Sequence, residues 1–164
     1  MKKQWTKTSE FNYTFLVDEK ETGKMEIHYN TIASKAVCSI GEKKFEITRT
    51  GFWKSNLQIT NSSENVILKT YPEKWYANSW VIEFESKKYK LIIRNNPLAE
   101  YAIAENEKDI LAYGLDTEKK ELRVRISTSG NTDFILDFLL WYLFVPIANE
   151  NFGDTYLFFI LQSL

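Results

Sequence analysis

Phe134–Ala148, FILDFLLWYLFVPIA, is the stretch on which the fold turns. Upstream, apolar and polar residues alternate; here the apolar residues run almost without a break. Fifteen residues exceed an ordinary strand, so the segment reads as a helix. A helix that is apolar on every side must be buried on every side, in protein or in lipid. Crossing a bilayer takes about twenty apolar residues. This run is shorter, carries Asp137 four positions in, and meets Pro146. At about 1.5 Å per residue it spans roughly 22 Å, the height of a small barrel. The expectation is a helix over about 132–147, enclosed by protein. It follows a loop, Ser127–Thr132, rich in N-cap residues, has Asp133 in its first turn, and is ended by Pro146.

What could enclose it is written in the preceding residues. From about Phe11 to Ser127 the pattern is strand, turn, strand. NYTFLVDE is followed by a turn at KETG, where Gly23 can take positive φ, and then by KMEIHYN. KAVCSI turns at Gly41-Glu42 into KKFEITRT. NLQIT turns through Asn61–Asn65 into VILKTY. SWVIEFES sets Trp80, Ile82 and Phe84 against Glu83 and Glu85, and KYKLIIR sets Tyr89, Leu91 and Ile93 against Lys88, Lys90 and Arg94. YAIAE, DILAYGLD and ELRVRIS complete the run, with Leu122, Val124 and Ile126 opposite Arg123 and Arg125. Period-two alternation with breaks every ten residues or so predicts an all-β domain, a closed antiparallel barrel of about 10–12 strands. Crossover helices for a parallel sheet have no room. The tail TYLFFILQSL reads as a last strand over about 154–163, closing the edge.

A chain of 164 residues is read as one domain, 1–164. Its apolar share of 44% and charged share of 26% are those of an ordinary globular protein. Formal net charge is −1 and only four of the 21 basic residues are Arg, which argues against a nucleic-acid partner. A single cysteine, Cys38, excludes an internal disulfide and a Cys-rich zinc site, as a reducing compartment would allow. MKKQWTKTSEFNYTF has two lysines but no apolar run behind them, so no secretory signal is read and a cytoplasmic location is expected.

The hairpin series KAVCSIGEKKFEITRTGF, NLQITNSSENVILKTY and SWVIEFESKKYKLIIR, followed by FILDFLLWYLFV, resembles the tubby C-terminal-like superfamily. That superfamily includes the tubby domains, phospholipid scramblases and LURP-one-related proteins. The resemblance covers roughly Met25 to the end. It implies a hydrophobic helix threaded through the barrel and non-catalytic work near membranes. No stretch matches the tubby phosphoinositide site, and the cysteine cluster of scramblases is missing, so no binding residue carries over.

Sites are sparse. His28, the only histidine, lies with Glu26 on a polar strand face, which leaves no triad and no His-based metal site. Cys38 reads as a buried structural thiol. Glu105, Glu107, Glu118 and Glu121 lie in turns and on polar faces, and nothing selects a catalytic pair. There is no GxGxxG, P-loop or GxSxG. No enzyme activity and no cofactor or metal are expected. The basic faces of two strands, Lys88, Lys90 and Arg94 on one and Arg123 and Arg125 on the other, would form a positive patch if the strands were neighbours. Inside the helix, Asp137 needs a strand lysine or hydroxyl. These features predict a binding module for anionic lipid headgroups or a protein partner on the outer wall, peripheral to a membrane and with no integral span. The alternative is a lipocalin-like carrier of a small apolar ligand in the lumen. A third reading makes the helix and tail a membrane hairpin turning at Pro146 and Asn149–Asp154.

Overall fold

The computed structural model describes residues 1–29, 34–51, 55–74, 76, 78–95, 97–118, 121–152 and 160–163. Twelve strands follow one another as an antiparallel meander, each hydrogen-bonded to its sequence neighbours. They are β1 (Lys3–Lys7), β2 (Asn12–Val17), β3 (Lys20–Tyr29), β4 (Ser34–Ile40), β5 (Lys43–Thr50) and β6 (Asn56–Asn61). Then come β7 (Val66–Pro72), β8 (Ser79–Phe84), β9 (Lys87–Asn95), β10 (Ala99–Glu105), β11 (Lys108–Glu118) and β12 (Glu121–Thr128). The helix α1 (Phe134–Phe152) follows, and β13 (Ile160–Ser163) pairs parallel to β12 and runs alongside β1. The sheet thus curls into a nearly closed barrel around α1. The expected start of the last strand, near 154, lies outside the described residues.

Alternation does the sorting. Phe45 and Ile47, Leu57 and Ile59, Ile82 and Phe84, and Val124 and Ile126 all point inward and are buried. They close on Phe138, Leu139, Leu140, Trp141, Phe144 and Val145 of α1, none of which reaches solvent. His28 and Glu26 face outward and lie 3.4 Å apart. Cys38 is buried, and burial pushes its thiol well up.

One end of the barrel is made of tight turns. Asp18-Glu19, Glu85-Ser86 and Asn106-Glu107 each have both residues at positive φ, the geometry whose twist matches the flanking strands. The other end carries the longer connections, between β3 and β4, β5 and β6, and β7 and β8. Because β12 ends at the tight-turn mouth, α1 enters there and runs toward the opposite end.

Three expectations are corrected. The first hairpin turns at Asp18-Glu19, and Gly23 lies within β3. Gly23 is glycine for close approach: a Cβ there would fall 2.3 Å from the Ser39 carbonyl oxygen and 2.8 Å from Phe138 Cζ. Pro146 does not end the helix, which continues to Phe152. Its ring is on an exposed position near the helix exit, where the missing N–H and the crowding of the preceding turn interrupt the helix without ending it. Residues 149–152 are therefore helical, and the hairpin turn imagined there is absent; among the described residues no helix is long and apolar enough to cross a membrane. Lastly, Lys3–Lys7 forms a strand that alternation alone did not announce.

Candidate functional site

That extra strand supplies the most unusual chemistry of the interior. β1 turns Lys3, Trp5 and Lys7 inward. Lys3 is fully buried, and its ammonium donates to Asp137 Oδ2 at 2.7 Å and to Thr132 Oγ1 at 3.0 Å. The other carboxylate oxygen accepts the Tyr113 hydroxyl at 2.9 Å, and that hydroxyl accepts Trp5 Nε1–H at 3.0 Å. Asp137 thus finds both the lysine and the hydroxyl it requires. Burial pushes its carboxyl up to about 6, while Lys3 and Tyr113 hold it down. Burial beside Asp137 likewise pushes the Tyr113 phenol up.

The cluster ties the helix start to β1 and β11. Asp133 caps it, accepting Ile135 N–H at 2.9 Å, and Phe134 packs on Phe15 of β2 with ring centres 5.5 Å apart. Lys3 and Phe15 together draw the first turn toward β1 and β2. The opposite side of the mouth, under the β4–β5, β6–β7 and β8–β9 turns, is left uncovered. A cleft of about 900 Å³ opens there. Ile40, Phe45, Ile67, Phe84, Phe134 and Ile135 make its floor, and Glu42, Lys43, Lys44, Glu85 and Asp133 stand on its rim. Its size, with an apolar floor beneath a polar rim that also includes Asn61, Ser62, Asn131 and Thr132, is that of small-molecule sites, which favour barrel mouths.

The predicted basic residues sit on the outer wall, as alternation requires. β9 and β12 are not neighbours: β10 and β11 lie between them. Lys88 pairs with Glu83 at 3.2 Å and Lys90 with Glu73 at 3.1 Å. Arg94 holds Asp109 through both its terminal nitrogens at 2.6 and 2.9 Å. Glu100 bridges Arg94 at 2.9 Å and Arg125 at 3.4 Å, crossing above Gly114, which lies between them in the ladder. Asp116 approaches Arg125 at 3.7 Å and is the cross-strand partner of Arg123. The wall therefore joins Arg94 to Arg125 through a shared carboxylate. The hydroxyls of Tyr71 and Ser79, donating to Glu83 and Glu73, hold those carboxyls below the usual carboxylate range, helped by the ammoniums of Lys88 and Lys90.

Sequence reasoning passed over Lys3, Trp5, Tyr113, Thr132, Lys43 and Lys44. The period-two spacing of Lys3, Trp5 and Lys7 was the available signal for β1, hidden because two of its three inward residues are lysines. Among the described residues no group of three metal-ligating side chains occurs. No family model, no curated protein and no solved structure matches the chain.

Proposed function

We propose that the protein is a non-enzymatic binding module that takes an apolar-chain small molecule at the tight-turn mouth of the barrel. The observation that carries this reading is the cleft of about 900 Å³, floored by apolar side chains beside a helix that fills the lumen. A lumenal carrier of the lipocalin kind would need the space held by Trp141 and Phe138, so the ligand is placed above the helix start and not along it. The wall reading, with anionic headgroups on Lys88, Lys90, Arg94, Arg123 and Arg125, draws less support. Lys88, Lys90, Arg94 and Arg125 already hold carboxylates, which a headgroup would have to displace. Kinship with tubby-like barrels belongs to the same proposal, supported by the antiparallel meander and the enclosed helix.

Binding of the dye 1-anilinonaphthalene-8-sulfonate tests the site. Folded protein at neutral pH is expected to enhance its fluorescence saturably, with one dye per chain. Ile40→Asp and Ile135→Asp, both at partly exposed floor positions, are expected to abolish the enhancement while melting stays cooperative. Enhancement that is absent, or unchanged in both variants, would overturn the placement.

A further inference from the structure

The rim carries charges of both signs that stand without ion-pair partners among the described residues, unlike the paired basic residues of the outer wall. On the wall, Lys35, Lys87, Lys88, Lys90, Arg94 and Arg125 each lie within 4.0 Å of a carboxylate. Around the cleft, none of Glu42, Lys43, Lys44 and Glu85 forms an ion pair among the described residues. Lys43 lies two residues before buried Phe45 on β5, so it shares the strand face that looks into the mouth. Glu85 opens the β8–β9 turn at φ 50°, and Asp133 begins the helix. The helix N-terminus itself is not the anion site, because Asp133 already occupies its amide. What remains is an apolar floor with Lys43, Lys44 and one carboxylate, Glu42, on the β4–β5 side, and two carboxylates, Glu85 and Asp133, on other elements.

A ligand that neutralises only one sign would leave the other facing its head. An apolar chain ending in both signs satisfies both. We propose that the cleft takes a free single-chain zwitterionic amphiphile. Its chain lies on Ile40, Phe84, Phe134 and Ile135, its anionic group at Lys43 and Lys44, and its cationic group at Glu85 and Asp133. This inference rests on the binding reading above and adds the chemistry of the ligand to it.

Calorimetric titration separates the two. Four probes share a twelve-carbon chain and are used below their micelle thresholds: dodecylphosphocholine, dodecanoate, dodecyltrimethylammonium and dodecyl maltoside. Dodecylphosphocholine is expected to bind one per chain, and at least about tenfold tighter than the other three. The double substitution Lys43→Glu and Lys44→Glu, at two exposed positions, is expected to weaken it roughly tenfold. The same variant should move the preference to dodecyltrimethylammonium with the melting temperature unchanged. Equal affinity for all four probes would overturn the head-group assignment and leave chain binding standing. No binding of any probe would overturn both readings. Co-sedimentation with phosphatidylcholine vesicles would overturn the free amphiphile, since the head would then be read in a bilayer.

Discussion

Two ionic clusters share this barrel, one on each side of its wall, and they are built from the same chemistry. Inside, Lys3 and Asp137 meet at 2.7 Å with neither side chain exposed at all. Outside, Arg94, Glu100, Asp109 and Arg125 meet at comparable distances with side chains 24–41% exposed. Water decides the difference. An exposed pair contributes about 0–1 kcal/mol, because solvent serves each charge nearly as well as its partner does. A buried pair has no such substitute, so removing one partner strands the other at a cost of about 3–5 kcal/mol. The inner cluster therefore fixes where the helix sits, while the outer one dresses a wall that would stand without it.

Lys3→Met should break that contrast most severely. At pH 7 it leaves Asp137 buried and uncompensated, for an expected loss of about 3–5 kcal/mol in urea unfolding. The sign of the pH effect follows from the raised carboxyl, about 6 in the fold against 3.8 ordinarily. A group whose folded value is raised contributes stability that is full below the unfolded value and is lost as pH rises through the folded one. Without Lys3 the folded value climbs further, so the variant should regain stability on acidification from pH 7 toward 5. A penalty that stays flat over that range would mean Asp137 is not the stranded group.

Adding Asp137→Leu to Lys3→Met should restore most of that loss, bringing the double variant to within about 1 kcal/mol of the parent or above it. If the double variant is as weak as the single, the pair is a net stabiliser in its own right. Tyr113→Phe strips one hydrogen bond from Asp137 and one from Trp5, and is expected to cost about 1–3 kcal/mol. Glu100→Gln, the outer counterpart, should cost under about 1 kcal/mol and lose even that in high salt. A larger, salt-insensitive loss would show that the wall cluster behaves like the buried one.

The sequence is most readable where one rule acts alone. Hairpins such as KAVCSIGEKKFEI show their inner and outer faces directly, because alternation and turn residues agree. The helix is readable because no other element tolerates so many consecutive apolar residues. Trouble begins where a residue answers to a distant partner. Lys3 looks like surface until Asp137, 134 residues later, gives it a reason to be inside. Gly23 looks like a turn residue until Ser39 and Phe138 close over it. Pro146 looks like a stop until its exposure at the barrel exit is known. The cleft is harder still: its lining comes from three separate turns and the helix start, and no local pattern encodes their meeting. Alternation alone shows that the basic strand faces look outward; their carboxylate partners depend on strand order.

The position of α1 after all twelve strands also governs how the molecule is made. On a ribosome the wall emerges before its filling, at roughly 5–20 residues per second. Until Phe134–Phe152 arrives, Trp5, Phe15, Phe45 and Ile47 line a half-built trough with nothing to lie against, and the β1 edge has no neighbour. Lys3 and Lys7 then have a second use. Two inward lysines on an edge strand are the kind of charge that discourages pairing with another chain. The lysine that ends buried against Asp137 therefore stays a solvated charge on that edge until the helix arrives to receive it.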